Sequence, residues 1–191
     1  MMFSNTSRRT NATFVSTNFR MNIMPSPQTV IQPTVQPPAH DQKKMIWGEP
    51  TWFFLHTIAH KVRDFNAVRV QLLGIIYQVC TNLPCPMCSQ HAKTYLDSIN
   101  FNTIQTREQL KQMLFTFHNV VNTRKGYSLF SSNELDAKYA LAVTRNIFSN
   151  FIGHFKDSHR SPGMIADDLF RSRLALNFIA WFNTNRMQFD D

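Results

Sequence analysis

Long apolar runs, glycine and cysteine are all scarce in this chain of 191 residues. No apolar run is long enough to cross a bilayer as a helix, and the N-terminus lacks the apolar segment of a secretory signal. We therefore expect neither a membrane span nor a signal peptide. Five glycines and nine prolines exclude collagen-like and glycine-rich architectures. Three cysteines are too few for a disulfide-stapled miniprotein, and because their number is odd, at least one cysteine has no disulfide partner within the chain.

Acidic residues are nearly absent from residues 1–44. This segment holds five basic residues and a single acid, Asp41, so its net charge is +4. Five prolines fall within residues 25–38, and such composition is typical of an extended, disordered arm. We predict a solvated basic arm over residues 1–44. Contact of the arm with nucleic acid, a membrane face or an acidic partner is an alternative, as is a mitochondrial transit peptide.

The rest of the chain is rich in apolar side chains that recur every three or four residues. Hydrophobic residues make up 43 % of the chain, which is enough to bury a core. Strand-like alternation is scarce, so we predict an all-α fold of four or five helices around one core. The first predicted helix starts at an N-cap on Thr51, the second spans 67–81 and the third runs from Cys85 to 99. The fourth extends from the capping box Thr106-x-x-Gln109 to a stop at Gly126. Two further helices are predicted over 133–151 and 165–183.

The sharpest motif is Cys85-Pro-Met-Cys88, at the predicted start of the third helix. Two cysteines at this spacing can form a disulfide across one helical turn. The partial positive charge of a helix N-terminus lowers a thiol pKa and favours the thiolate, the species that attacks disulfides. We therefore predict a redox pair.

Two further features leave alternatives open. His91 follows at CxxCxxH spacing, so a zinc-stabilised structural domain is the alternative, with a fourth ligand from His118 or Cys80. Cys80 lies near the end of the second helix, where we predict a buried structural thiol. A role for Cys80 as a resolving thiol is the alternative.

Three sequence blocks, in order, carry a resemblance to a known family. They are GEPTWFFLHTIA at 48–59, PCPMCSQH at 84–91 and HNVVNTRKGYSLF at 118–130. The blocks are similar to the patterns G-x-x-x-W-x-x-L-H-x-x-A, P-C-x-x-C-x-x-H and H-N-x-V-N-x-x-x-G-x-x-x-F. The stretch from about 47 to 139 thus resembles the Erv/ALR family of FAD-linked sulfhydryl oxidases, most of all the single-CxxC oxidases of large DNA viruses.

The resemblance implies a four-helix bundle with a short fifth helix, followed here by extra C-terminal helices. It divides the chain into the arm at 1–44, an FAD-binding sulfhydryl oxidase domain at 45–140 and a C-terminal helical extension at 141–191. Two apolar faces in the extension predict a helical hairpin packed on the bundle. A contact surface for oligomer or virion formation is the alternative.

The resemblance also implies roles for individual residues. Cys85 would be the outer cysteine that exchanges disulfides with a reduced client, and Cys88 the inner cysteine that faces the flavin. The implied FAD contacts are Gly48, Trp52, His56, Cys88, His91, His118, Asn119, Asn122, Tyr127 and Tyr139.

Some positions depart from the family pattern. Tyr127 stands where the family has a lysine, so Arg124 or Lys125 is expected to supply the positive charge beside the phosphates. Phe115 and Ser132 stand where the family commonly has a second, structural disulfide.

The implied reaction is thiol oxidation, in which electrons pass from the CxxC pair to FAD and then to oxygen, giving hydrogen peroxide. The arm and the residues after Cys88 contain no cysteine, so no shuttle disulfide is available within this sequence. We expect a reduced thiol protein or a thioredoxin-like carrier to meet Cys85 directly. A homodimer formed through the first two helices is also expected, in the host cytoplasm at a viral assembly site or in the virion. The mitochondrial intermembrane space is the alternative location.

Overall fold

A computed structural model describes residues 46–156 and 165–191, so the predicted arm at 1–44 lies outside the described residues. Seven α-helices occur within these ranges, and the predicted all-α class is confirmed. They are α1 (Gly48–Lys61), α2 (Phe65–Thr81), α3 (Pro86–Asp97), α4 (Arg107–Lys125), α5 (Ser132–Ala140), α6 (Thr144–Lys156) and α7 (Ile165–Asn185). Single 3₁₀ turns cover Phe101–Thr103 and Arg186–Gln188. Within the described ranges, no helix is long and apolar enough to span a bilayer.

Local signals set both ends of α4, as predicted. The Thr106 hydroxyl accepts a hydrogen bond from the Gln109 backbone N–H at 3.2 Å, and the Gln109 side chain accepts one from the Thr106 N–H at 3.1 Å. Gly126 ends the helix with a φ of 68°, in the left-handed region that glycine adopts without a steric penalty. The predicted capping box and glycine stop are therefore confirmed.

The predicted start of α1 is wrong. The helix begins at Gly48 with Trp47 as N-cap, one turn before the expected cap at Thr51. Thr51 is buried, and its hydroxyl donates a hydrogen bond to the Trp47 carbonyl at 2.7 Å. Pro50 falls in the first turn, where the backbone N–H that proline lacks has no partner within the helix, so it does not prevent an earlier start.

The predicted single helix over 133–151 is also wrong, because a break at 141–143 separates α5 from α6. Tyr139 and Phe148 are both buried, and both contact α1: their rings lie 5.2 Å from Phe53 and 5.6 Å from Phe54. In one straight helix, residues nine apart point in opposite directions. The break lets both rings pack against α1.

Helix α1 is the centre of the fold. It packs against α4, α5 and α6, while α2 packs against α3 and α6 against α7. The predicted apolar face of α6 is buried, and Phe151 stacks on Phe54 with ring centroids 4.2 Å apart. Leu174, Phe178 and Phe182 of α7 belong to the same core. The described residues therefore form one compact unit, and the boundary at 140/141 stays a prediction.

The last residues return to the end of α1. Phe189 pairs with Val62 in an isolated antiparallel bridge, and the Asp190 N–H donates to the Lys61 carbonyl at 2.8 Å. The buried Lys61 ammonium donates to the Asp191 carbonyl at 2.8 Å. These bonds hold the C-terminal helices against the bundle.

Two glycines give opposite predictions for stability. Gly126→Ala should lower the free energy of unfolding by about 1 kcal/mol, because alanine is strained at positive φ. Gly74→Ala, in the middle of α2 where no atom lies within 4 Å of an added Cβ, should raise it by about 1 kcal/mol. Urea unfolding of both variants measures the difference, and a loss of stability in Gly74→Ala would contradict the structure.

Candidate redox and cofactor site

The Cys85-x-x-Cys88 motif forms the start of α3. Cys85 is the N-cap, and its Sγ accepts a hydrogen bond from the Cys88 backbone N–H at 3.2 Å. Pro86 occupies the first helical position, where proline is favoured. Both cysteines are free thiols and partly exposed. This local geometry brings the two sulfur atoms to one end of a helix.

The Cys88 thiol holds its proton more tightly than the helix N-terminus alone predicts. Burial, followed by the hydrogen bond and proximity to Cys85, raises the pKa of Cys88 to about 11, against an opposing effect of Lys125 and Arg124. The predicted lowering of the thiol pKa is therefore wrong for Cys88, because desolvation of the charged form outweighs the positive charges nearby.

The third cysteine is a different case. Cys80 is only 2 % exposed, and burial raises the pKa of its thiol to about 12. A fully buried thiol of this kind is chemically inert, in keeping with the predicted structural role.

A cleft lies beside Cys88. Its walls come from α1, the end of α2, α3 and α4. The residues that line it are Trp47, Gly48, Thr51, Trp52, Leu55, Cys80, Leu83, Cys88, His91, Ala92, Tyr95, Phe117, Val120, Val121, Arg124 and Lys125. The cleft is thus apolar and aromatic, with two cations contributed by the end of α4.

Four of the predicted site residues line this cleft, namely Gly48, Trp52, Cys88 and His91. His91 is of special interest, because its Nδ1 atom is buried and has no hydrogen-bond partner among the described residues. Buried polar atoms are nearly always satisfied, so this nitrogen in the cleft wall offers a hydrogen-bonding position to water or to a bound molecule. Cys85 does not line the cleft.

A second group of predicted residues forms an aromatic cluster next to Trp52. His118 stacks on Trp52 with ring centroids 4.1 Å apart and an angle of 8°. His56 Nε2 lies 3.1 Å from His118 Nδ1, and the buried Tyr139 ring stacks on His56 at 5.1 Å. The structure therefore brings His56, His118 and Tyr139 together with Trp52, but of these four only Trp52 lines the cleft.

Both histidines of this cluster are neutral at physiological pH. Burial, the neighbouring His118 and Lys138 lower the pKa of His56 to about 3. Burial and Lys138 lower the pKa of His118 to about 4. A neutral imidazole has one donor and one acceptor nitrogen, so the 3.1 Å contact is a single hydrogen bond between uncharged rings.

The two predicted asparagines hold a loop. The Asn119 side chain donates to the Phe130 carbonyl at 3.1 Å and accepts from the Phe130 N–H at 2.8 Å. Asn122 donates to the Ser128 carbonyl at 3.2 Å. Both residues thus fasten the segment after Gly126 to α4, a role that the sequence analysis missed. Their predicted contact with FAD, and that of Tyr127 in the same loop, stays a prediction.

Most of the apolar lining was also missed. The α4 wall consists of Phe117, Val120, Val121, Arg124 and Lys125, of which the first four stand at positions i, i+3, i+4 and i+7. That periodicity is visible in the sequence and marks one face of a helix. It does not reveal whether the face meets another helix or a cleft.

The zinc alternative has no support in the described part of the chain. No group of three or more His, Cys, Asp or Glu residues there is placed to hold a metal ion. His118, one of the proposed ligands, instead has its Nδ1 atom in contact with His56.

The amino-acid sequence matches a family model and several known proteins. The model of the Erv1/Alr family matches residues 49–140. The FAD-linked sulfhydryl oxidase of African swine fever virus (isolate Pig/Kenya/KEN-50/1950) is 31 % identical over 112 residues, which are 56 % of this chain and 93 % of the viral protein. The chain belongs to the Erv1/Alr family. The resemblance seen in the sequence is thereby confirmed.

Other Erv1/Alr relatives match over shorter shares of their length. The putative FAD-linked sulfhydryl oxidase 096R of Invertebrate iridescent virus 3 is 32 % identical over 82 residues, 41 % of this chain and 55 % of that protein. The FAD-linked sulfhydryl oxidase ERV1 of Oryza sativa subsp. japonica is 33 % identical over 100 residues, 48 % of each chain. The chain thus spans about half the length of these two relatives. No solved structure matches the chain significantly.

The neutral histidine pair predicts how the stability of this Erv1/Alr chain depends on pH. The pKa values of His56 and His118 are lower in the folded state than in the unfolded state, so the unfolded state takes up more protons below about pH 6.5. The stabilising effect of the pair is therefore complete above pH 6.5 and declines as the pH falls towards 4. We expect the melting temperature to drop by roughly 5 °C between pH 7 and pH 5.

Circular dichroism measures this melting temperature. The variant His118→Phe keeps the aromatic stack on Trp52 but removes one titrating group, so its drop should be smaller. His154→Gln, on α6, is the matched control and should behave like wild type. Equal pH dependence in all three proteins would show that the histidine pair does not cause the effect.

Proposed function

We propose that this chain is an FAD-linked sulfhydryl oxidase that takes electrons from dithiols through Cys85 and Cys88. The observation that supports this most strongly is the placement of a CxxC pair at the edge of an aromatic cleft, with Cys88 in the cleft wall. Membership of the Erv1/Alr family, together with the named relatives, confirms the predicted enzyme class and FAD as its cofactor.

The residues of the cleft fit FAD. Flat aromatic walls suit the faces of fused rings. Trp52, Tyr95 and Phe117 supply such walls here. His91 offers a buried nitrogen that lacks a partner among the described residues. Arg124 and Lys125 supply positive charge for a diphosphate.

The two cysteines differ in their position relative to the cleft, and this difference supports different roles. Both are partly exposed, but only Cys88 lines the cleft, so an incoming thiolate meets the Cys85 Sγ atom outside it. Attack there forms a mixed disulfide with Cys85 and breaks the Cys85–Cys88 bond, releasing Cys88 as a thiolate. A second client thiolate then attacks the client sulfur of the mixed disulfide, which releases Cys85 and the oxidised client.

The released Cys88 thiolate lies at the cleft wall under two opposing influences. Burial destabilises its negative charge, while Arg124 and Lys125 stabilise it. The chain thereby holds a reactive sulfur at the place where the cofactor binds. When bound, FAD supplies a two-electron acceptor that passes the electrons on to oxygen, giving hydrogen peroxide.

The substrates are thiols and the final acceptor is oxygen, as the family implies. The finer assignment is that a reduced protein or a thioredoxin-like carrier meets Cys85 directly, because the sequence has no cysteine in residues 1–44 and none after Cys88. Viral relatives support a role at a viral assembly site in the host cytoplasm or in the virion. Plant relatives support the mitochondrial alternative.

The homodimer also belongs to this proposal. Helix α6 covers one side of α1, and Trp181 of α7 is bonded to Gln71 of α2 at 2.8 Å. Val70, Gly74 and Gln78 of α2 are exposed and line a shallow groove. A dimer formed through the first two helices would therefore use the exposed face of α2 that contains Val70, Gly74 and Gln78.

Loss of either redox cysteine tests the reaction. Cys85→Ser and Cys88→Ser should each lower oxygen consumption with dithiothreitol by more than about a hundredfold, because neither variant can form the disulfide. FAD should remain bound, as measured by the visible flavin absorption of the purified protein. Met87→Ser changes an exposed residue of the same motif and is the matched control. Wild-type turnover by Cys88→Ser would contradict the mechanism.

Arg124 provides a separate test of the cofactor site. Arg124→Gln should raise the dissociation constant for FAD by about tenfold, because a charged partner for the diphosphate is lost. Titration of the FAD-depleted protein, followed by flavin fluorescence, gives this constant. Arg145→Gln, an exposed residue of α6 outside the cleft, should bind FAD like wild type. An equal effect of the two substitutions would mean that Arg124 acts only through the net charge of the protein.

A further inference from the structure

A second groove begins at Pro86, the residue that follows the partly exposed Cys85. It shares Leu83 with the cofactor cleft but is otherwise lined by different residues. One wall comes from the end of α2 and the first turns of α3. The other wall is the start of α7, which lies outside the stretch that matches the Erv1/Alr family model. The groove therefore joins the redox motif to a helix of the C-terminal extension.

One hydrogen bond and the lining of the groove place α7 along α2. Near its C-terminal end, the Trp181 indole N–H donates to the Gln71 side chain of α2 at 2.8 Å. At its N-terminal end, the buried Arg171 forms an ion pair with Asp168, one turn away, and lines the groove beside Thr81 of α2. Helix α7 thus runs antiparallel to α2, and its first turns stand beside the CxxC motif.

The α7 wall presents an aromatic ring to solvent. Phe170 lines the groove and is 52 % exposed. Leu83 and Pro86 supply apolar surface to the same groove, and Gln90 of α3 adds an exposed amide. An apolar side chain seated here would be removed from water against an aromatic face, and the Gln90 amide can bond to a peptide backbone.

We propose that this groove seats the client polypeptide beside its reactive cysteine, and that Phe170 determines specificity by contacting an apolar side chain next to that cysteine. The inference rests on the proposed function, which requires a client thiol to reach the Cys85 Sγ atom. A polypeptide attached at Cys85 passes Pro86, where the groove begins. The groove adjoins the redox motif at Pro86 without including Cys85 itself, so its occupant is the substrate with which Cys85 exchanges.

Two short, reduced synthetic peptides test this inference on the full-length, FAD-loaded protein. Each contains the dithiol Cys-Gly-Gly-Cys, flanked on both sides by Phe in one peptide and by Ser in the other. Wild type should oxidise the Phe peptide with a kcat/KM about tenfold higher, mainly through a lower KM, since one apolar side chain gains a binding surface. Phe170→Ala should lose this preference.

Dithiothreitol and a second variant separate the possible outcomes. Phe170→Ala should oxidise dithiothreitol at the wild-type rate, because a small dithiol needs no groove. Leu176→Ala removes an equally exposed side chain of α7 outside the groove and should keep the peptide preference. If Phe170→Ala retains the preference, the inference is overturned.

Two other results have distinct meanings. If Phe170→Ala accelerates both peptides equally, the groove holds a segment of this chain or a second copy, which also overturns the inference. If wild type fails to oxidise dithiothreitol at all, the proposed function fails, irrespective of the groove.

Discussion

The fold depends on one helix that is buried on nearly every side. In α1, residues 54 to 59 are all buried, including the polar His56 and Thr57. A helix surrounded in this way must meet a different neighbour on each face, which explains why α4, α5 and α6 all pack against it. Trp52 on the same helix lines the cofactor cleft, while Phe54 stacks on the C-terminal extension. The site and the extension are therefore linked through the packing of a single helix.

Burying polar groups in such a core has a physical cost, and the histidine pair between α1 and α4 limits this cost by staying neutral and hydrogen-bonded. His56 and His118 bond to each other and have lowered pKa values, so no charge is buried between them near pH 7. Three buried polar atoms have no partner in the described residues, namely Thr57 Oγ1, His91 Nδ1 and Arg171 Nε. Of these residues only His91 lines the cleft beside Cys88, where a bound molecule could supply the missing hydrogen bond.

The features that the sequence predicted most accurately are those that neighbouring residues control. The capping box at Thr106 and the stop at Gly126 depend on neighbouring residues, and both are confirmed. The start of α1 and the break after α5 were wrong, because Thr51, Tyr139 and Phe148 respond to burial against distant parts of the chain. For the site, the redox motif could be read directly, and family resemblance supplied the cofactor. The loop clamp by Asn119 and the groove beside α7 depend on tertiary contacts that no local pattern contains.

Three chemically identical side chains end up with different properties because the fold buries them differently. Cys80 is enclosed in the core, where a thiolate would be strongly destabilised, so it keeps its proton although it lies in the wall of the cleft. Cys88 is half-buried and close to two cations, so a thiolate there is disfavoured but accessible. Cys85 caps α3 at the surface and accepts the Cys88 N–H. Under the proposed function, electrons taken from a client thiol would pass from Cys85 to Cys88, and the buried Cys80 would not compete for the disulfide.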